Sequence, residues 1–313
     1  MSQRAAFASG TQSNLRVQWR SFLLFCHYFH IQPIPADLDI ICMYVQFLSQ
    51  TLTIQSIRNY LNGVKLLHLY VGAPFPHIGS FELTLLLKGL ARLNPHTPKQ
   101  ALPITPPILL KLLAHLQLSC PLHASLWSAI LLGFFLFARK SNLVPPSPSK
   151  FHPLKHLTRG SVAICPAGLL VTLRWSKTIQ CGERVLRIPV VAIPNSPLCP
   201  LHAWCNMTSL VPAEDSSPAF IYPSPTGLLT LTYYTFTSNL RKLLQLAGFN
   251  PSAYSGHSLR RGGATWAFKS KVPGELIQLH GDWSSDAYLR YLDFSLEGKM
   301  TVSSLMKQTI LLL

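Results

Sequence analysis

Between His257 and Tyr291 the chain gathers polar and amphipathic side chains that a packed core does not require. His257-Ser258-Leu259-Arg260-Arg261-Gly262-Gly263 is followed by an apolar segment and then by His280-Gly281-Asp282-Trp283-Ser284-Ser285-Asp286-Ala287-Tyr288-Leu289-Arg290-Tyr291. His257 and Arg260, three apart at the start of an expected helix, share one face, close to backbone N–H groups that are open to an anion. Gly262 and Gly263 are expected to permit close approach of another chain or a ligand. A short helix from Glu275 to His280 ends at Gly281, and Ser284 or Ser285 caps a further helix with Tyr288 and Tyr291 on one face. An imidazole, a guanidinium, a second His or Trp and one of two tyrosines are groups that bind an anion and move a proton.

These residues need elements to carry them. Residues 1 to about 13 are small and polar and read as frayed, and from Leu15 the positions Leu15, Trp19, Phe22, Cys26 and Phe29 mark an amphipathic helix. Asp37 and Thr53 are expected to cap a second and a third helix, and Ser80 opens a fourth. The exposed faces carry Arg16, Arg20, Arg58, Lys65, Lys88 and Arg92 as candidate phosphate contacts. Residues 93–104, with three prolines and Lys99, read as an extended basic linker. Thr105-Pro106 then starts a helix, followed by an apolar helix from about His123 that delivers Arg139, Lys140 and Asn142 at its foot. Gly168–Trp175 and Arg184–Val191 are β-rich runs joined by a hairpin tip that holds Lys177. Residues Val211 to Pro225 read as loop and Thr230 to Gly248 as helix. The expected fold is mainly α with a small antiparallel sheet: helical residues 12–92, linker 93–104, a mixed α+β domain 105–297 and a tail helix 298–313.

Composition bounds the partners. The chain has 313 residues, 48% hydrophobic and 12% charged, with 27 Lys and Arg against 11 Asp and Glu, a formal charge of +16. That balance suits a polyanion. The longest apolar run, Leu126 to Ala138, falls short of the roughly 20 residues of a bilayer span, and the N-terminus does not read as a secretory signal. Seven scattered cysteines without CxxC argue for free thiols. Cys199, His202 and Cys205 lack a matching second ligand cluster, so no metal and no cofactor is expected.

The order Arg139, Lys177 in a β-hairpin, His257-x-x-Arg260, Trp283, Tyr291 resembles the tyrosine recombinase (phage-type integrase) family, whose pattern is Arg, Lys, HxxR, His or Trp, Tyr. The wording of the C-terminal block is similar to the recombinases of eukaryotic DIRS, Ngaro and Crypton mobile elements. The resemblance covers essentially the whole chain. It implies an N-terminal four-helix (SAM-like) core-binding domain and a catalytic domain that cut and rejoin DNA through a 3′-phosphotyrosyl intermediate. It further implies action in the nucleus on double-stranded DNA, as a homotetramer on synapsed duplexes. Arg139 and Arg260 would clamp the scissile phosphate, with Lys140, Arg261 and Lys99 as further DNA contacts. His257 would be base or hydrogen-bond partner to the tyrosine, whose ordinary pKa is about 10. Lys177 would be the family's general acid toward the 5′-hydroxyl, and the indole N–H of Trp283 would donate to the phosphate. Two alternatives stand beside these roles, His280 for Trp283 and Tyr288 for Tyr291; the family intervals favour Trp283 and Tyr291. Asn142 stands where many relatives have an acid. The other functional readings are a non-catalytic DNA-binding relic and type IB topoisomerase activity. The tail, with Leu305, Met306, Ile310 and Leu313 at helical spacing, would pack in cis or dock on a neighbour.

Overall fold

Apolar spacing and side-chain caps set the first elements. In the computed structural model, which describes residues 6–75, 79–96, 100–180, 182–291 and scattered positions from 300 to 311, the chain divides into two compact units, Met1–Lys99 and Gln100–Leu313. The side chains of Ser9, Arg290 and Tyr291 lie outside the description, as do Lys99 and most of the expected tail helix.

The first unit is helical: α1 Ser9–Tyr28, α2 Leu38–Ser49, α3 Ile54–Tyr70 and α4 Phe81–Leu93. Helix α1 begins at Ser9, so part of the stretch expected to fray is helical. Asp37 and Thr53 cap α2 and α3 by accepting from Ile40 N–H and Ser56 N–H, which satisfies donors that the helix itself leaves open. The apolar stripes meet in a core around Phe22, Tyr44, Ile57, Leu61 and Leu83. Buried His68 uses both ring nitrogens there: Nε2 accepts from Ala36 N–H at 2.9 Å and Nδ1 donates to the Val64 carbonyl at 2.9 Å.

The second unit is built on one helix. After α5 (Pro106–Leu113), helix α6 (Pro121–Phe135) is apolar all round and almost entirely buried, the signature of a core helix rather than a surface one. Around it pack α8 (Pro200–Leu210), α10 (Ser258–Lys269) and a β-hairpin, with the one-turn helix α7 (Lys140–Leu143) at its foot. Ser125 Oγ donates to the Ile221 carbonyl at 2.6 Å, which joins α6 to that hairpin. A three-stranded antiparallel sheet, β1 Val162–Cys165, β2 Gly168–Leu173 and β3 Leu186–Val191, sets Val171 opposite both Val162 and Ile188. Alternate residues Leu169, Val171 and Leu173 are buried, so this sheet shows one face to the core.

Three features depart from the sequence reading. Strand β1 joins the expected pair, and β4 (Ile221–Ser224) and β5 (Gly227–Thr230) form a second hairpin where loop and helix start were expected. Helix α9 then runs Tyr233–Leu246. Within the expected linker, Leu102 N–H donates to Ala253 O and Ile104 N–H to Ser258 O, and Ile104 is fully buried. Gly262 and Gly263 serve the chain's own backbone: a Cβ at Gly262 would lie 1.8 Å from Ile104 O, and one at Gly263 2.2 Å from Phe134 O. No helix among the described residues is long and apolar enough to cross a membrane.

Candidate active site

Helix α6 stops at a left-handed residue, Phe137 (φ 46°), and the chain turns to present Arg139 as the N-cap residue of α7. Asn142 in α7 is buried and fixes this turn. Its side-chain amide donates to Trp175 O at 2.8 Å, which ties the foot of α6 to the exit of β2, and its backbone carbonyl accepts from Leu157 N–H at 3.0 Å. The amide thus acts as a donor to backbone at the position where an acid would only accept.

His257 is the N-cap residue of α10 and is exposed. Partial burial, then the charges of Arg260, Arg139 and Lys140, hold its pKa below the ordinary imidazole value. The Lys140 side chain passes close over Gly256, beside His257, where a Cβ would lie 2.8 Å from Lys140 Cδ. The Lys140 ammonium sits 4.9 Å from the centre of the Tyr233 ring.

Arg260, one turn into α10, is only 3% exposed. Nη1 donates to Phe137 O and Nη2 to Gly281 O, the latter at 2.7 Å, and the guanidinium lies 3.8 Å from the centre of the Trp283 ring. It therefore joins the foot of α6 to the corner that follows α11 (Gly274–His280). Trp283 can fold back under it only because residue 281 is glycine, since a Cβ there would fall 1.7 Å from Trp283 Cζ3. His280 is engaged elsewhere. Its Nε2 is 2.7 Å from Phe135 O, its ring packs on Phe137 at 4.6 Å, and burial, partly offset by that hydrogen bond, lowers its pKa. Of the two residues weighed for the His or Trp position, Trp283 faces Arg260 and His280 pins α11 to the apolar helix.

The 3₁₀ turn Asp286–Tyr291 carries both tyrosines. Tyr288 is buried, packed 6.2 Å from Trp283 and against Gly274. Tyr291 ends the turn, and its side chain lies outside the described residues. Beside these elements an apolar groove of about 660 Å³ runs past Phe137, Ile188, Trp266, Leu276 and His280.

Lys177 is exposed on a tight turn between β2 and β3, closed by Ser176 N–H to Ile179 O at 3.0 Å, with Ile179 fully buried beneath it. The acid that meets this turn escaped the sequence reading. Asp282, 9% exposed and left-handed at φ 55°, accepts from Ser176 Oγ at 2.7 Å, from Thr178 Oγ1, and from Arg184 Nη2 in an ion pair. Burial raises its pKa, but the three donors and the charge of Arg184 outweigh burial, and the net shift is downward. Asp282 carries no motif and its partners lie about 100 residues upstream; only its place between Gly281 and Trp283 hinted at it.

The remaining expected contacts divide by unit. Arg16, Arg20, Arg58, Lys65, Lys88 and Arg92 are exposed on the helices of the first unit. In the second, Arg261 is half-buried and donates to Gln100 Oε1 at 2.6 Å.

No family model and no curated protein matches the chain. Solved structures do. A Tn1549 transposon integrase in complex with transposon right end DNA aligns over 97% of this chain and 96% of its own at 13% identity and a TM-score of 0.66. XerH site-specific recombinase bound to palindromic difH substrate aligns over 95% and 79% at 13% identity and a TM-score of 0.60. A lambda integrase dimer bound to a COC′ core site aligns over 92% and 72% at 14% identity and a TM-score of 0.53. The mostly helical chain with its small antiparallel sheets has the fold of the tyrosine recombinases.

Proposed function

We propose that this protein is a site-specific DNA recombinase or integrase that breaks and rejoins strands through a covalent 3′-phosphotyrosyl intermediate. One observation carries the reading. The charges of Arg260 and Arg139 both bear on His257, Arg260 stacks on Trp283, and the Lys177 turn is bound to the residue beside Trp283, although the five are spread from residue 139 to 283. A basic chain of +16 and a fold shared with DNA-bound recombinases fit the same substrate.

In this scheme the Tyr291 hydroxyl attacks the scissile phosphorus and its proton passes to His257, whose lowered pKa keeps the imidazole neutral and able to accept it. The P–O5′ bond breaks and Lys177 protonates the departing 5′-oxygen. The charge that builds on the non-bridging oxygens is met by Arg139 and Arg260, with the Trp283 N–H as a further donor. Arg260 donates to one carbonyl from each Nη, and each Nη carries a second N–H that can point at a phosphate oxygen. The phosphotyrosyl bond conserves the energy of the phosphodiester, and attack by another 5′-hydroxyl reverses the step.

The biological setting follows from the C-terminal block. Gly256–Thr265 and Trp283–Tyr291 read like the recombinases of eukaryotic DIRS, Ngaro and Crypton elements, so the protein acts on mobile-element DNA in the nucleus, as a homotetramer on two synapsed duplexes. The catalytic set is Tyr291, Arg139, Lys177, His257, Arg260 and Trp283; Lys140, Arg261, Lys99 and the cations of the helical domain contact DNA.

A second reading is a DNA-binding relic without chemistry, favoured by the engagement of Arg260 with two backbone carbonyls and by Asn142 at an acidic position. Incubation with a pool of nicked duplexes of randomised sequence decides between them. SDS-resistant protein–DNA adducts are expected from the recombinase, and binding without any adduct identifies the relic.

A further inference from the structure

We propose that Asp282 is a positioning residue for Lys177, the tether that holds the general acid at the phosphate; the proposal rests on the recombinase reading above. One carboxylate binds the residues on both sides of the lysine, Ser176 and Thr178, and also pairs with Arg184 on the far arm of the hairpin. The same residue is linked through its own backbone to the phosphate-binding corner: Gly281 before it accepts from Arg260, and Trp283 after it lies beneath the Arg260 guanidinium. The root of Lys177 is therefore fixed relative to Arg260 within a few covalent bonds.

The arrangement exceeds what neutralising Arg184 requires. Arg184 is half exposed and would be solvated without a partner, whereas two hydroxyl donors from either side of an exposed lysine add directional bonds to a largely buried carboxylate. Further bonds stiffen the turn: Thr178 N–H donates to Ser176 Oγ at 3.1 Å and the Gln180 amide to Lys177 O at 2.7 Å. A lysine side chain has four rotatable carbons and a point charge, so the position of its ammonium depends on where its backbone is held. The left-handed backbone at Asp282 aims the carboxylate at the turn, and Asp is among the few side chains that tolerate this conformation.

The test uses leaving-group chemistry. A 5′-oxygen leaves well only when protonated, whereas a 5′-bridging sulfur, with a thiol pKa of about 8.5, leaves as the thiolate. On nicked duplexes of the sequence recovered from the random pool, Asp282→Ala should slow adduct formation by roughly 10²-fold or more with the ordinary phosphodiester, as loss of a general acid does. With 5′-bridging sulfur it should return to within about threefold of the parent protein, as should Lys177→Ala, and the double variant should be no slower than the slower single one. Asp282→Asn, which keeps an acceptor oxygen, should fall between. Ser176→Ala combined with Thr178→Val, which leaves the Arg184 pair in place, should behave as Asp282→Ala does. Equal loss on both substrates would overturn the proposal. Trypsin cleavage after Lys177 reads the tether without DNA: it should speed up in Asp282→Ala, and an unchanged rate would refute the tether. An absence of adducts from the parent protein on both substrates would instead sink the recombinase reading.

Discussion

Cations in the two units are held in opposite ways. In the helical unit Arg16, Arg20, Arg58, Lys65, Lys88 and Arg92 stand exposed on helix faces. In the second unit four basic groups near the site have specific partners, Arg260 two carbonyls and an indole, Arg184 a carboxylate, Arg261 an amide oxygen and Lys140 an aromatic face, while Lys177 is exposed on a turn that is itself held. The first arrangement suits attraction to a phosphate backbone, which tolerates loose geometry and weakens with salt. The second is fixed before substrate arrives, as stabilisation of developing charge requires. Substitutions should therefore act on chemistry in one unit and on affinity in the other.

The largest break in this contrast is expected from Arg260→Ala. It removes the proposed phosphate ligand and strands the Phe137 and Gly281 carbonyls, so adduct formation should fall by about 10³-fold and stability by about 2–4 kcal/mol, read by single-turnover kinetics and denaturant unfolding. Gly281→Ala comes next. Its Cβ would occupy the Trp283 ring position, so the indole must leave Arg260, and the adduct rate should drop by about 10–100-fold, the effect of losing one transition-state donor or less; Trp283 fluorescence should report the move. His257 gives a pH signature. Because its pKa lies below the ordinary value of about 6.5, the adduct rate should rise with pH through a limb below 6.5 and stay level above it, and His257→Gln should flatten that limb. Single alanines at the six exposed cations should have the smallest effects. Each residue that meets a phosphate should lower the slope of log K against log salt by about 0.9, while the rate at saturating protein stays unchanged.

Much of the chain could be read from local signals. The caps at Asp37 and Thr53, the buried helix at Pro121–Phe135 and the β2–β3 hairpin all rest on residues close in sequence. The β4–β5 hairpin did not show because Pro223 and Pro225 argue against a strand, yet a two-stranded ribbon spares Pro223 any ladder donor it lacks. Gly262 and Gly263 were visible as a demand for space, but which backbone fills that space is a tertiary fact. Asp282 and Asn142 were illegible for the same reason: an acid and an amide define nothing until the fold brings Ser176, Thr178 and Trp175 to them. Spacing put Arg260 on one face with His257 and the family resemblance implied a phosphate contact, but its task of joining α6 to the Trp283 corner needed three dimensions.

The nucleophile is the point on which the whole account turns. Nicked duplex recovered from a randomised pool, incubated with the parent protein, Tyr291→Phe and Tyr288→Phe and then denatured in SDS, tests it directly. The account predicts a covalent adduct whose phosphopeptide contains Tyr291, lost in Tyr291→Phe and retained in Tyr288→Phe, since Tyr288 packs against Trp283. An adduct that survives Tyr291→Phe and disappears in Tyr288→Phe, or no adduct from the parent protein, would contradict it.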